Sequence, residues 1–95
     1  MDWQTLIKGF TAYITLEKGF SVHSRDAYIR DVKGLKAFVE TTSPALSATE
    51  ITPQHISEFL IYLYQMGLHV RTQARVLSGI KTFYKYLMVE NLIQN

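Results

Sequence analysis

Cysteine is absent from this sequence, which excludes disulfide frameworks, thiolate zinc sites and thiol catalysis. Proline is rare, with two in 95 residues, and the five glycines are isolated, so the chain contains no glycine-rich phosphate loop. The hydrophobic share of 47% and the charged share of 19% are typical of a globular protein. They exclude a disordered or low-complexity chain.

Long apolar runs are also missing. No stretch approaches the ~18 residues of a membrane span. The N-terminal "MDWQTLIKGF" lacks the basic region and the continuous apolar region of a signal peptide. We therefore expect a soluble, cytoplasmic protein without a membrane partner.

Catalytic groupings of side chains are missing as well. The three histidines, His23, His55 and His69, lie in three different segments of the chain. No serine-centred nucleophile motif and no paired-acid motif is present. We therefore expect no catalytic residue, no metal site, no cofactor and no small-molecule ligand.

Hydrophobic residues recur with a helical period in every long segment, and none shows the strict alternation of a half-buried strand. We predict four helices, at about residues 2–18, 22–41, 53–66 and 71–91. Four amphipathic helices of this length cover one core, so the fold class is predicted to be all-α. The prediction is a compact bundle that forms a single domain over residues 1–95.

The residues at the ends of these segments support the boundaries. Asp2, Ser21 and Thr52 have side chains that accept hydrogen bonds from the free N–H groups at a helix start. Gly19 tolerates the left-handed conformation that often follows a helix, and Gly67 is expected to end the third helix.

The apolar arcs predict which side chains form the core. The inner face of the third helix is predicted to contain Ile56, Phe59, Leu60, Leu63 and Met66. On the fourth helix, Tyr86 falls toward the polar side, which makes it a candidate contact residue.

Charge is distributed unevenly along the chain, although the formal net charge is only +2. Residues 39–68 contain three glutamates and no Lys or Arg, whereas residues 69–91 contain four cations and a single acid, Glu90. Such asymmetry indicates a polyanionic partner better than the total charge does.

The outer face of the fourth helix is the main candidate for a binding surface. Its cations have no acid four residues away, and small residues lie between them, which would let a DNA backbone approach closely. The alternative is an ordinary solvated surface. The candidate DNA-binding residues on this helix are Arg71, Thr72, Arg75, Ser78, Lys81 and Lys85.

Arg75 has two interpretations. Its guanidinium is suited to bidentate contacts with phosphate or guanine. It is also placed to pair with Asp31 and hold the second and fourth helices in register. The two roles are compatible.

The second helix provides weaker candidates near its N-terminus, where free N–H groups favour a phosphate. These candidates are His23, Ser24, Arg30 and Lys33. Because Asp26 shares their side, a mixed-charge surface helix is an equally good interpretation.

Two stretches resemble the N-terminal core-binding domain of tyrosine recombinases of the phage-integrase class, especially the Xer type. They are "EKGFSVHSRDAYIRDVKGLKAFV", residues 17–39, and "ITPQHISEFLIYLYQMGLHVRTQARVLSGIKTFYKYLMVENLI", residues 51–93. The second contains the family's pattern of Ala-Arg, Leu-Ser, a basic residue and Phe-Tyr, here at Ala74 to Tyr84. The sequence departs from the pattern at His23-Ser24, where the family often has Asn-Thr, and at Ile29, where it has a basic residue.

The resemblance implies a SAM-like helical bundle whose second and fourth helices enter adjacent grooves of a recombination half-site. A separate C-terminal domain would supply the tyrosine nucleophile, so this chain would be a non-catalytic fragment of a longer recombinase. It also implies double-stranded DNA as a partner and other recombinase protomers in a tetrameric synapse, with the first helix contacting a neighbouring protomer. The functions implied are DNA integration, recombination and chromosome dimer resolution.

A function of another class remains open from the residues alone. A small helical protein-interaction module could use the same basic face against an acidic partner surface. The absence of acids on the fourth helix and a strong dependence of binding on salt would favour DNA instead.

Overall fold

The computed structural model describes residues 2–17 and 19–94, which contain four α-helices, one short 3₁₀ helix and no β-strand. The α-helices are α1 (Trp3–Leu16), α2 (Val22–Thr42), α3 (Pro53–Gln65) and α4 (Val70–Val89), and the 3₁₀ helix is Ala48–Glu50. The predicted all-α bundle of four helices is confirmed. No helix among the described residues combines the length and the apolar character needed to cross a membrane.

The predicted caps are confirmed at three helix starts. The Asp2 carboxylate accepts a hydrogen bond from the backbone N–H of Thr5 at 2.8 Å. The Ser21 hydroxyl accepts from the N–H of Ser24 at 3.1 Å, and the Thr52 hydroxyl caps α3. Each side chain satisfies a backbone donor that has no partner inside the helix.

The predicted glycine turns are confirmed as well. Gly19 and Gly67 have φ angles of +101° and +89°, in the left-handed region that side chains with a Cβ rarely adopt. The end of the first predicted helix at Lys18 lies outside the described residues.

Side chains of α1, α2 and α4 form most of the core. Phe10 of α1 meets Phe83 of α4 edge-on, with ring centroids 5.2 Å apart. Of α3, only Phe59 is fully buried. The connection between α2 and α3 is tied to the bundle at two points, since Trp3 Nε1 donates to the Leu46 carbonyl and the Tyr84 hydroxyl donates to the Ala48 carbonyl.

Two predictions about individual side chains are wrong. Met66, predicted to lie in the core, is 63% exposed, because α3 ends at Gln65 and the chain turns away at Gly67. Tyr86, predicted as a contact residue, is only 7% exposed, because its ring packs over Gly9 of α1, where no Cβ occupies the space.

Helices α2 and α4 cross in close contact at Gly79. A Cβ at this position would lie 3.0 Å from Cδ1 and 3.3 Å from Cα of Tyr28. The contact involves the α2 backbone as well as the Tyr28 ring, so a rotamer change of Tyr28 alone would not make room for it. Glycine at position 79 thereby sets how closely the two helices approach.

We predict that Gly79→Ala lowers the free energy of unfolding by about 1–3 kcal/mol, because the added methyl group forces α2 and α4 apart. Urea unfolding measures this change. The matched control is Gly34→Ala in α2, where the new Cβ would meet only Phe59 Cζ at an ordinary 3.6 Å. Since alanine favours helix, the control should be neutral or stabilised by up to about 1 kcal/mol. A Gly79→Ala variant as stable as its parent would contradict the prediction.

Candidate nucleic-acid interface

The outer face of α4 presents the predicted cations to solvent. Arg71, Lys81 and Lys85 are exposed. Within residues 2–17 and 19–94, none of the three has a carboxylate oxygen within 4.0 Å of its charged nitrogens. Ser78 is exposed between them, and Thr72 is half-buried near the helix start. This face therefore carries positive charge that the described part of the chain does not neutralise by direct pairing.

Arg75 has a different environment from the other cations of α4. Its Nη2 donates to Oδ1 of Asp31 on α2 at 3.0 Å, which confirms the predicted pairing of the two helices. The Asp31 side chain is only 5% exposed and the Arg75 side chain 39%. Two further atoms of the pair, Asp31 Oδ2 and Arg75 Nε, are buried without a hydrogen-bond partner among the described residues.

Burial dominates the titration of this carboxyl group. Removal from water raises the pKa of Asp31 above its ordinary value, while the positive charge of Arg75 acts in the opposite direction. The carboxylate thus remains costly to ionise in the fold even with its partner present.

A shallow depression lies between the start of α2 and the side of α4. Three predicted residues of α2, His23, Ser24 and Arg30, line it together with Arg75. Asp26 also lines it, so one acid shares the depression with these groups. The structure therefore brings the N-terminal candidates of α2 next to a candidate of α4.

Lys33 does not line this depression, but it lines a second one together with Asp26, Ile29 and Arg30. It also borders a groove between α1 and α2 together with Lys8 and Lys36, and Lys36 pairs with Glu40 at 3.5 Å. Lys8 is exposed on the polar side of α1, and no sequence pattern identified it as a neighbour of Lys33.

Lys81 and Lys85 border another groove, together with Glu50, the start of α3 and residues 92–94. Seven of the ten candidates thus line depressions of the surface: His23, Ser24, Arg30 and Arg75 share one, Arg30 and Lys33 a second, and Lys81 and Lys85 a third.

No three His, Asp or Glu side chains of the described residues are grouped in a way that could hold a metal ion. The positive side chains are therefore the chemically distinctive feature of this surface.

Comparison with known proteins identifies the family. The model of the phage integrase N-terminal SAM-like domain matches residues 7–91, most of the chain. The chain belongs to this family.

Several tyrosine recombinases are similar to this SAM-like domain. It is 31% identical over 90 residues to tyrosine recombinase XerD of Chlorobaculum tepidum, which covers 95% of the chain and 29% of that protein. It is 34% identical over 89 residues to tyrosine recombinase XerC of Leptospira interrogans, with 93% of the chain and 28% of that protein covered. Tyrosine recombinase XerC of Bacillus subtilis is 29% identical over 91 residues, which covers 96% of the chain and 30% of that protein.

The SAM-like domain thus spans less than a third of the length of the curated relatives it matches. No solved structure matches it.

For the SAM-like domain, we predict a pH-dependent difference in stability between the parent and the Asp31→Asn variant, whose side chain does not titrate. Because the folded-state pKa of Asp31 is raised, its protonated form is favoured by folding. The stability of the parent relative to the variant is therefore largest below the ordinary aspartate pKa. This advantage is lost as pH rises through the raised value.

Urea unfolding of both proteins across this acidic range measures the difference, in which the effects of other acids cancel. The parent should lose stability relative to the variant as pH rises. A relative gain with rising pH would mean that Arg75 outweighs burial and would contradict the prediction.

Proposed function

We propose that this SAM-like domain is the non-catalytic DNA-binding part of a Xer-like site-specific tyrosine recombinase. It grips one face of a recombination half-site with α2 and α4. The residues that contact DNA are His23, Ser24, Arg30, Lys33, Arg71, Thr72, Arg75, Ser78, Lys81 and Lys85.

One observation carries this proposal: α4 has exposed cations that form no ion pair within the described residues. The proteins to which the domain is similar are named tyrosine recombinases. Arg71, Lys81 and Lys85 are exposed on a helix that contains no acid, and Glu50, which borders the same groove as the two lysines, pairs with neither of them within the described residues. Neutralising phosphates releases condensed counterions, so cations without protein partners contribute most to binding a duplex.

The remaining length of the relatives supports a division of labour within the full-length protein. In the proposed recombinase, a second domain outside these 95 residues supplies the tyrosine nucleophile, and the SAM-like domain binds and orients the DNA. The protein acts in DNA integration, recombination or chromosome dimer resolution, as a tetramer of recombinase protomers on DNA in the cytoplasm. In this proposal, residues 1–95 form one DNA-binding domain that binds no cofactor.

The first experiment measures fluorescence anisotropy of the 95-residue chain with a short labelled duplex over a salt series. If about four phosphates are neutralised, log K should fall with log salt with a slope of about −3 to −4. A variant with Lys81→Ala and Lys85→Ala should bind more weakly, with a slope shallower by about two. Both lysines are exposed and make no ion pair within the described residues, so the variant should remain folded.

The control for this experiment removes the same net charge from the α1–α2 groove, with Lys8→Ala and Lys36→Ala. Its slope should change less than that of the α4 variant. Absence of binding at low salt, or equal slopes for parent and α4 variant, would refute the proposal. Either result would favour a protein-interaction module whose basic face meets an acidic partner.

A second prediction concerns α2. Arg30→Ala should weaken DNA binding more than Lys33→Ala, because Arg30 shares a depression with Arg75 whereas Lys33 borders the groove toward α1. Each variant loses one positive charge, so total charge cannot explain a difference. The anisotropy assay at one low salt concentration measures it. A stronger effect of Lys33→Ala would place the DNA nearer to α1.

A further inference from the structure

The Arg75–Asp31 pair is unusual because Asp31 is the one buried charged residue among residues 2–17 and 19–94. Replacing a buried ion pair by apolar residues is often neutral or stabilising, so the pair is weak evidence for a stabilising role. Its location suggests a role connected with the surface above it. Arg75 lines the depression at the start of α2, and Asp31 does not.

The geometry shows how Asp31 acts on Arg75. The guanidinium is held at one nitrogen, Nη2, which donates to Oδ1 of the buried carboxylate, and its Nε is buried beside it without a hydrogen-bond partner. An arginine has five N–H donors in a rigid plane, so fixing one nitrogen and burying a second restricts the direction of the others. The side chain is still 39% exposed. Without the carboxylate, so long a side chain would sample many rotamers.

The surroundings indicate which ligand the held arginine faces. Around the same depression lie Arg30, His23 and the hydroxyl-bearing Ser24, with Asp26 as the single acid. Two arginines, a hydroxyl group and the start of a helix suit a phosphate group. The negative charge of Asp31 is buried below this surface.

We propose that Asp31 is a positioning residue that orients the Arg75 guanidinium toward a DNA phosphate at the α2–α4 depression. The proposal rests on the proposed DNA-binding function and deepens it. Simple electrostatics predicts that removing the negative charge of Asp31 tightens DNA binding. The proposal predicts the opposite effect where the substitution also removes the oxygen that accepts from Arg75.

The test compares Asp31→Leu with Asp31→Asn, two substitutions that both remove the charge. Only the asparagine keeps an oxygen that accepts from Arg75. In the anisotropy assay, Asp31→Leu should bind the duplex about three- to tenfold more weakly than Asp31→Asn, the cost of ordering one long side chain anew. Asp31→Asn should bind at least as tightly as the parent.

The control repeats the comparison in the Arg75→Met background, which keeps the aliphatic stem and lacks the guanidinium. Neither double variant contains an unpaired buried charge at this site, so both should fold. Their affinities should agree within about twofold, since position 31 then has no arginine to orient. An equal gap in both backgrounds would mean that position 31 acts on the fold alone and would overturn the proposal.

A spectroscopic measurement separates orientation from stability. In ¹⁵N-edited NMR, the buried Arg75 Nε–H should give a cross-peak that is protected from solvent exchange in the parent and in Asp31→Asn. In Asp31→Leu this protected cross-peak should be absent. Asp31→Ala replaces Asp31→Leu if the larger side chain prevents folding. An unchanged cross-peak in the folded apolar variant would overturn the proposal.

The outcomes also distinguish this proposal from the function on which it rests. If the parent binds DNA with a steep salt dependence but Asp31→Leu and Asp31→Asn bind equally, the positioning role fails and the DNA-binding function stands. If the parent shows no salt-dependent binding, both fail.

Discussion

The crossing of α2 and α4 is the constraint on which the rest of the surface depends. Besides the shared apolar core, two contacts lie at it, the close approach of Tyr28 to Gly79 and the hydrogen bond from Arg75 to Asp31. Asp31 follows Tyr28 by three residues and Arg75 precedes Gly79 by four, so the contacts lie about one turn apart on each helix. Together they define both the separation of the two helices and their register. Every side chain proposed to contact DNA projects from this pair of helices.

The charged side chains at this crossing differ in burial. The carboxylate that meets an α4 cation is buried, while the other cations of α4 remain exposed and unpaired in the described structure. The three glutamates of residues 39–68 lie outside α4, and Glu50, which borders the groove beside Lys81 and Lys85, pairs with neither lysine within the described residues. A net charge of +2 therefore coexists with a markedly positive helix face. Local charge on such a face, more than the total, governs attraction to a polyanion.

Much of the fold could be predicted because it depends on local rules. Helical periodicity, the caps at Asp2, Ser21 and Thr52, and the turn at Gly67 act within a few residues of chain. The errors had two sources: Met66 is exposed because α3 ends one residue before it, whereas Tyr86 is placed by a segment distant in sequence. Tyr86 lies near the polar arc of its own helix, yet it is buried because Gly9 of α1 leaves space for its ring. The 3₁₀ helix at Ala48–Glu50 is a local feature that was missed, because its capping box lies in a connection that showed no helical period.

The all-α class, the helix boundaries to within a few residues and the basic character of α4 could all be predicted from the residues along the chain. Each of these follows from periodicity, side-chain caps or the order of charges along the chain. Which charged side chains meet depends instead on how the helices pack. This packing joins His23, Ser24 and Arg30 with Arg75, places Lys33 beside Lys8, and buries Asp31 under Arg75. These outcomes depend on how helices distant in sequence cross, and that crossing is decided by the close packing of side chains and glycines at their contact.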